Sequence, residues 1–296
     1  MKVWRRYFLM VVLLAASQIA FAQDDLLSML ESEQEPEKTF ATASFKTTRV
    51  INGQSLENVG GGVLDMKISH RFGFVNGGPY ELFGLDEATI RIGLDYGISD
   101  RLMVGFGRSS FEKTYDFFYK YKLLRQSKGK AAVPFTLSLF SSAAITTLKW
   151  QQPERENYFS SRMSYTYQVI IGRKFNESFS LQIMPTMIHR NIVKNVGEKN
   201  DVYALGAAAR QKLTKRLAIN VEYYYLLPDQ VDAKYKNSLS IGFDIETGGH
   251  VFQLHFTNST SMIERGFITE TVGDWANGDI HFGFNVSRVF TINKKH

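Results

Sequence analysis

The chain has 296 residues, 44% hydrophobic and 14% aromatic, and no cysteine, which excludes disulfide staples, thiolate metal sites and a lipidated N-terminal Cys. Its formal charge of +6 includes Lys2, Arg5 and Arg6; without them 32 basic residues face 29 acidic ones, weak ground for a nucleic-acid partner.

Met1 to Ala22 carries those three basic residues, an apolar run from Tyr7 to Ala16, and Ala20-Phe21-Ala22 before Gln23. That order is the pattern of a cleaved secretory signal peptide, residues 1–22. Nothing after it supplies the roughly 18 apolar residues of a spanning helix. Residues 23–60 form an N-terminal arm. In it Leu26, Leu27 and Leu30 sit among acids, Pro36 ends any helix, and 39–52 could be one more strand (Phe45, Thr47, Arg49, Ile51) but alternates poorly before Gly60-Gly61-Gly62. The arm is expected beneath or inside the domain that follows, residues 61–296, as a periplasmic or luminal segment.

That domain repeats one unit, clearest between Thr89 and Arg108. Ile90, Ile92, Leu94, Tyr96 and Ile98 share a face, and Arg91, Gly93, Asp95 and Gly97 share the other, the period of a strand between an apolar and a polar medium. Ser99-Asp100 reads as a two-residue hairpin turn, after which Leu102, Val104 and Phe106 resume the apolar face. No helix or second core receives this face, so it is assigned to lipid. Strands are predicted at 63–72, 89–98, 101–109, 113–124, 134–146, 160–174, 177–188, 200–212, 215–226, 236–246, 249–258 and 279–290. Short turns at Ser99-Asp100, Asn176-Glu177, Thr214-Lys215 and Thr247-Gly248 alternate with long loops at 73–88, 147–159, 189–199, 227–235 and 259–278. The expected fold is all-β: a transmembrane antiparallel β-barrel of about twelve strands in the outer membrane, both ends periplasmic. Strands of about 10 residues rising about 3.3 Å each and tilted near 45° cross about 23 Å, close to the apolar band of about 25 Å. Phe106, Tyr115, Tyr165, Tyr203, Tyr223, Tyr225, Phe256 and Phe282 gather toward the long-loop end as an aromatic girdle.

The segments VLDMKISHRFG from Val63, YELFGLDEATIRIGLDYGISDRL from Tyr80, GFGRSSFEKTYD from Gly105, FITETVGDW and GDIHFGFNVSRVFTI resemble an uncharacterised family of Gram-negative membrane-bound β-barrels, domain of unknown function 5777. The resemblance spans about residues 40–292 and implies the fold and the outer membrane. It brings no catalytic or binding residue. Phe282, Phe284, Val286 and Phe290 of the last strand are assigned as the assembly signal for barrel-insertion machinery, although a short tail from Thr291 follows them.

Inward positions collect charge. Lys67, Arg71, Arg91, Lys120, Lys122, Arg162 and Arg210 are basic, with Lys174 and Lys212; Asp95, Asp116, Glu222 and Asp244 are acidic, with Asp65 and Glu246. One reading is a salt-bridged, self-plugged interior. The other is a narrow passage for small solutes with weak anion preference. Gly93, Gly97, Gly105, Gly107, Gly206, Ala204 and Ala208 are expected to leave space on one side of the lumen, while Phe118, Tyr224 and Phe140 narrow the other. Loop 259–278, with Met262, Ile263, Phe267, Ile268 and Trp275, is too apolar for a solvated tether and is expected to fold into the mouth.

His255 and His281 point inward on the last two strands without a third ligand, so no metal site is assigned. Ser69 and His70 are adjacent and must face opposite sides of a strand, which defeats them as a hydrolase dyad. No catalytic residue, cofactor or nucleic acid is expected. Lipid is the expected contact of the outer face. Two roles remain: a solute passage, and a non-conducting barrel that acts as scaffold or surface-interaction protein through its loops. Oligomeric state is left open.

Overall fold

The computed structural model describes residues 37–293; the signal peptide and arm residues 23–36 lie outside them. Among the described residues, twelve strands close into one antiparallel barrel: β1 Val63–Phe74, β2 Ala88–Gly97, β3 Leu102–Ser109, β4 Thr114–Leu124, β5 Thr136–Thr146, β6 Met163–Lys174, β7 Phe179–Arg190, β8 Asp201–Lys212, β9 Leu217–Leu226, β10 Ser238–Thr247, β11 His250–Thr257 and β12 His281–Thr291. Each strand pairs with its neighbours in sequence. β12 returns to β1, from Gly283↔Arg71 to Thr291↔Val63, so no edge is left open. The chain divides into two units: this barrel with the segment that precedes it, and a small unit containing an antiparallel ribbon, Thr39–Phe40 against Ser127–Lys128.

The wall is built inside out relative to a soluble protein. Along β4, Thr114, Asp116, Phe118, Lys120 and Lys122 are buried while Tyr115, Phe117, Tyr119 and Tyr121 are exposed. Charged side chains on the buried face and bare aromatic rings on the exposed one fit only a wall with lipid outside.

The turns differ from the sequence reading in a regular way. Ile98 and Ser99 both donate to the Leu102 carbonyl, so Ser99-Asp100-Arg101 is a three-residue turn, its Ser99 hydroxyl accepting from Leu102 N at 3.0 Å. The same pattern places Asn176-Glu177-Ser178 and Thr214-Lys215-Arg216 in three-residue turns. Only the β10–β11 connection has two residues, and they are Gly248-Gly249, one position later than expected. The physical reason is parity. Ile98 and Leu102 must both face lipid, and paired positions that share a face can be four apart only across an odd number of turn residues.

Small inward residues do not leave an empty side. Gly105 pairs with Phe118 and Gly206 with Tyr224, so the rings lie over their glycine partners instead of opposite them. The Arg91 guanidinium covers Gly93 and Gly107 in the same manner.

Candidate functional site

The lumen is entered by residues 44–59, all but three of them buried. The middle of this segment is a hairpin: Val50 N donates to Gly53 O at 2.8 Å, Ser55 N donates to Thr48 O at 2.9 Å, and Arg49 bridges Gln54. A two-stranded hairpin of this length is not stable alone in water. Here the barrel wall completes its hydrogen bonds. Glu222 on β9 accepts from three successive backbone amides, Ile51 at 3.3 Å, Asn52 at 3.2 Å and Gly53 at 2.9 Å. Lys120 on β4 takes the other polarity and donates to the carbonyls of Thr48, Ser55 and Glu57 and to the Gln54 side chain at 2.7 to 3.2 Å. A carboxylate therefore holds the turn by its N–H groups while an ammonium holds the hairpin arms by their carbonyls. Charge-assisted bonds of this kind are roughly twice as strong as neutral ones.

Neutral side chains close the remaining positions. Gln253 donates to Val50 O at 2.8 Å, Asn285 to Ile51 O at 3.0 Å, and Gln182 to Gln54 O at 2.7 Å while accepting from Leu56 N at 3.1 Å. Arg71 donates to Asn52 Oδ1 at 2.6 Å. Gly53 is required by close approach, since a Cβ there would stand 3.1 Å from Tyr224 Cζ and nearer still to its hydroxyl. Phe45, Val50, Ile51, Leu56 and Val59 pack with Met103, Phe118, Phe140, Ile170, Met184 and Tyr224 into one apolar cluster.

Loop 259–278 turns inward from the long-loop end. Its helix α1, Glu264–Thr269, buries Phe267 and Ile268, and Phe267 meets Tyr224 edge-on at 5.1 Å. Met262 and Ile263 are buried; Trp275 is only half-buried and donates to Leu239 O. The loop touches the hairpin through a buried ion pair, Arg49–Glu264 at 3.0 Å, to which Gln54 adds a bond at 3.2 Å. At the loop's outer side, Arg265 and Lys194 each bind both Glu112 and Glu270, at 2.5 to 3.2 Å. Burial alone would raise the Glu270 pKa, but the cations Arg265 and Lys194 outweigh it and hold the carboxyl below the ordinary glutamate range.

The predicted inward charges fall into three groups. Arg91 binds Asp116 in bidentate fashion at 2.9 and 2.5 Å and Arg210 approaches Asp244 at 3.9 Å, both on the wall itself, while Lys67 pairs with Asp65 and Asp95 and shares Thr48 of the hairpin with Asp95. Arg71, Lys120 and Glu222 serve the hairpin, and Lys122 is buried beside them on β4. Arg162 is not on the wall: it ends a 3-10 turn, Phe159–Arg162, stacks 3.6 Å from the Trp150 ring and donates to Thr146 O and Leu148 O. β6 begins one residue later than this position and three later than predicted, because the turn absorbs Ser160 to Arg162.

His255 and His281 both face inward but do not meet as a pair. His281 is bonded to Phe72 O and Thr260 Oγ1, and His255 lies across from Gly283. Ser69 is buried inside while His70 stacks on Phe284 at 5.0 Å outside, so the two stand on opposite faces. Phe282, Phe284, Val286 and Phe290 share the outward face of β12. Residues that sequence reasoning passed over are Arg49, Asn52, Gln54, Gln182, Gln253, Asn285 and Glu264. The inward parity of 182, 253 and 285 was their only available signal.

Solved structures of similar outline include the NanC porin (8% identity, 78% of this chain and 100% of that one, TM-score 0.47) and Omp33 of Acinetobacter baumannii (6%, 77% and 97%, 0.43). An outer membrane channel from Pseudomonas putida F1 is a third (14%, 79% and 98%, 0.41). At such identities and scores the likeness bears on no function. No functionally curated protein matches the sequence. The family model described as membrane bound beta barrel domain (DUF5777) matches residues 45–290, hairpin and barrel together, and the chain belongs to that family.

Proposed function

We propose that the protein is an outer-membrane barrel, exported by residues 1–22 and inserted by barrel-assembly machinery through the outward face of β12, whose lumen is a closed passage for small solutes. Residues 44–59 are the plug and loop 259–278 is the gate above it. The observation that carries this reading is the distribution of wall charge. Arg91 and Asp116 neutralise each other across the wall, as a barrel filled only for stability requires, whereas Glu222 and Lys120 are directed to the plug backbone. When the plug withdraws, water can take over those bonds, along with those of Gln182, Gln253 and Asn285, and a polar wall stays wet. Of the charges then released, Arg71 and Lys120 outnumber Glu222, which supports a weak anion preference.

Planar-bilayer recording of the full chain and of a variant lacking residues 44–59 tests the reading. The parent should be silent or nearly so, and the deletion should carry steady single-channel current. Arg71→Gln with Lys120→Gln in the deletion background should move the reversal potential toward cations. A deletion protein that folds, by heat-modifiable gel mobility, yet stays silent in every salt overturns the passage. The second reading would then stand, a scaffold working through its loops. One observation favours it: Tyr80, Leu82 and Phe83 are exposed on the loop after β1, with Leu82 and Phe83 held at φ 46° and 55°. Left-handed backbone at bulky residues is strained, and such strain gathers at binding sites.

A further inference from the structure

The ladder of the lipid-facing wall is broken in the middle of β7. Pro185 points outward and keeps its register with Leu205 of β8. On the β6 side the ladder runs to Gln168↔Thr186, resumes at Ile171↔Ile183, and pairs neither Val169 nor Ile170. Proline has no N–H to give, so one rung is missing where a central strand would not normally accept it. A groove of about 860 Å³ lies over this seam, lined on the lipid side by Tyr119, Leu139, Ser141, Tyr167, Val169 and Pro185. It follows the seam along β6 and β7, where Gln168 and Thr186 alternate with the outward residues. Gln168 is almost wholly buried, and its side-chain carbonyl has no hydrogen-bond partner. Behind the seam stand Ile170 and Met184, both fully buried in the apolar half of the luminal cluster.

A convex barrel wall normally meets lipid as a smooth apolar band. Here a small residue, Ser141, lies among large rings and a strand break lies beside it, making a concavity with apolar walls on the lipid side. We propose that this groove is a specific site for the acyl chain of a membrane amphiphile, entered laterally from the bilayer. The occupant follows from continuity: the groove is part of the surface that lipid already covers, and its lining is apolar throughout the outward side. The proposal is independent of whether the lumen conducts.

Photo-crosslinking of the purified, folded chain in detergent with a diazirine-bearing palmitic acid tests it. Adducts should concentrate on peptides containing residues 139–141, 167–169 and 185–187, and excess palmitic acid should compete them away. Ser141→Trp fills the groove from the lipid side without reaching the lumen, and should lower labelling about tenfold, the affinity lost when roughly two methylenes can no longer be buried. Val169→Trp serves the same purpose if Ser141→Trp does not fold. Labelling spread evenly around the outer wall, unaffected by competitor or by either variant, would mean annular lipid only and would overturn the site.

Discussion

Glu222→Gln isolates the anchor that holds the plug's turn. Oε2 accepts from Ile51 N and Gly53 N, and Oε1 accepts from Asn52 N. The amide variant keeps one acceptor oxygen, so at least one backbone N–H faces an NH2 group instead of an acceptor, and every remaining bond loses its charge assistance. A hydrogen bond to a charged group contributes about 1.5–3 kcal/mol and an unsatisfied buried donor costs about 1–3 kcal/mol, so a net loss of about 3 kcal/mol in plug docking is expected. At 1.4 kcal/mol per decade this is a rise of about a hundredfold in the open population. Site-resolved amide hydrogen exchange reads it directly: Ile51, Asn52 and Gly53 should exchange about a hundredfold faster, while ladder amides of β9 and β10 stay protected. A change below about threefold at the three amides would show that apolar contacts of Phe45, Val50 and Leu56 hold the plug and that Glu222 does not. Loss of protection through the whole barrel would instead make Glu222 part of the wall's own stability.

Ile92 is exposed on the lipid face of β2, so Ile92→Arg should cost about 2–4 kcal/mol and reduce the folded band on heat-modifiable gels. Ser138→Ala, at a buried hydroxyl without a partner, should leave that band unchanged. Asp116→Leu leaves Arg91 buried and unpaired and should lower unfolding stability by about 3–5 kcal/mol in urea titration, whereas adding Arg91→Met should recover most of it. The loop latch should weaken in acid. Glu270 has its carboxyl pKa lowered by Arg265 and Lys194, so its contribution is complete above the ordinary value of about 4.5 and is lost as pH falls below that. Lys194 and Arg265 stay charged throughout, so protonating Glu270 is the step that loosens their hold. The chain has no cysteine, so a nitroxide on Val272→Cys labels the loop alone. Its mobility should rise below about pH 4.5 in the parent and at neutral pH in Glu270→Gln; equal mobility at every pH would refute the latch.

The strands were legible because a barrel wall states its two faces in every second residue, and twelve of them were placed within about three residues of their ends. Turn lengths were legible too, though read wrongly. Once Ile98 and Leu102 are both assigned to lipid, parity alone forbids a two-residue turn between them. The inward glycines misled for a different reason. Gly93 reads as open space on the polar face, but a Cβ there would stand 2.6 Å from the Arg91 guanidinium. That crowding depends on a cross-wall pair, Arg91 with Asp116, which no single strand reveals. The plug was least legible. Its hairpin has poor alternation because both of its faces are buried, and its partners lie far away, Glu222 some 170 positions from Asn52 and Gln253 203 from Val50. The loop announced itself, since Met262, Ile263, Phe267 and Ile268 could not be left in water.

Plug and loop meet at one ion pair, and on the proposed passage reading that contact sets how the lumen would open. If the plug withdraws alone, Glu264 stays in the protein without Arg49; if the loop lifts alone, Arg49 stays without Glu264. Stranding one partner of a buried pair costs about 3–5 kcal/mol, whereas moving both into water costs neither charge its compensation. Arg49 also sits 5.8 Å over the Phe118 ring, so its departure uncovers part of the apolar cluster that the loop's Phe267 completes from the other side. Both the electrostatic and the apolar terms therefore penalise a half-open lumen more than either end state. A barrel filled from two ends by unconnected stoppers would leak in two independent steps; a passage closed in the proposed way would open in a single concerted one, with Arg49–Glu264 as the coupling.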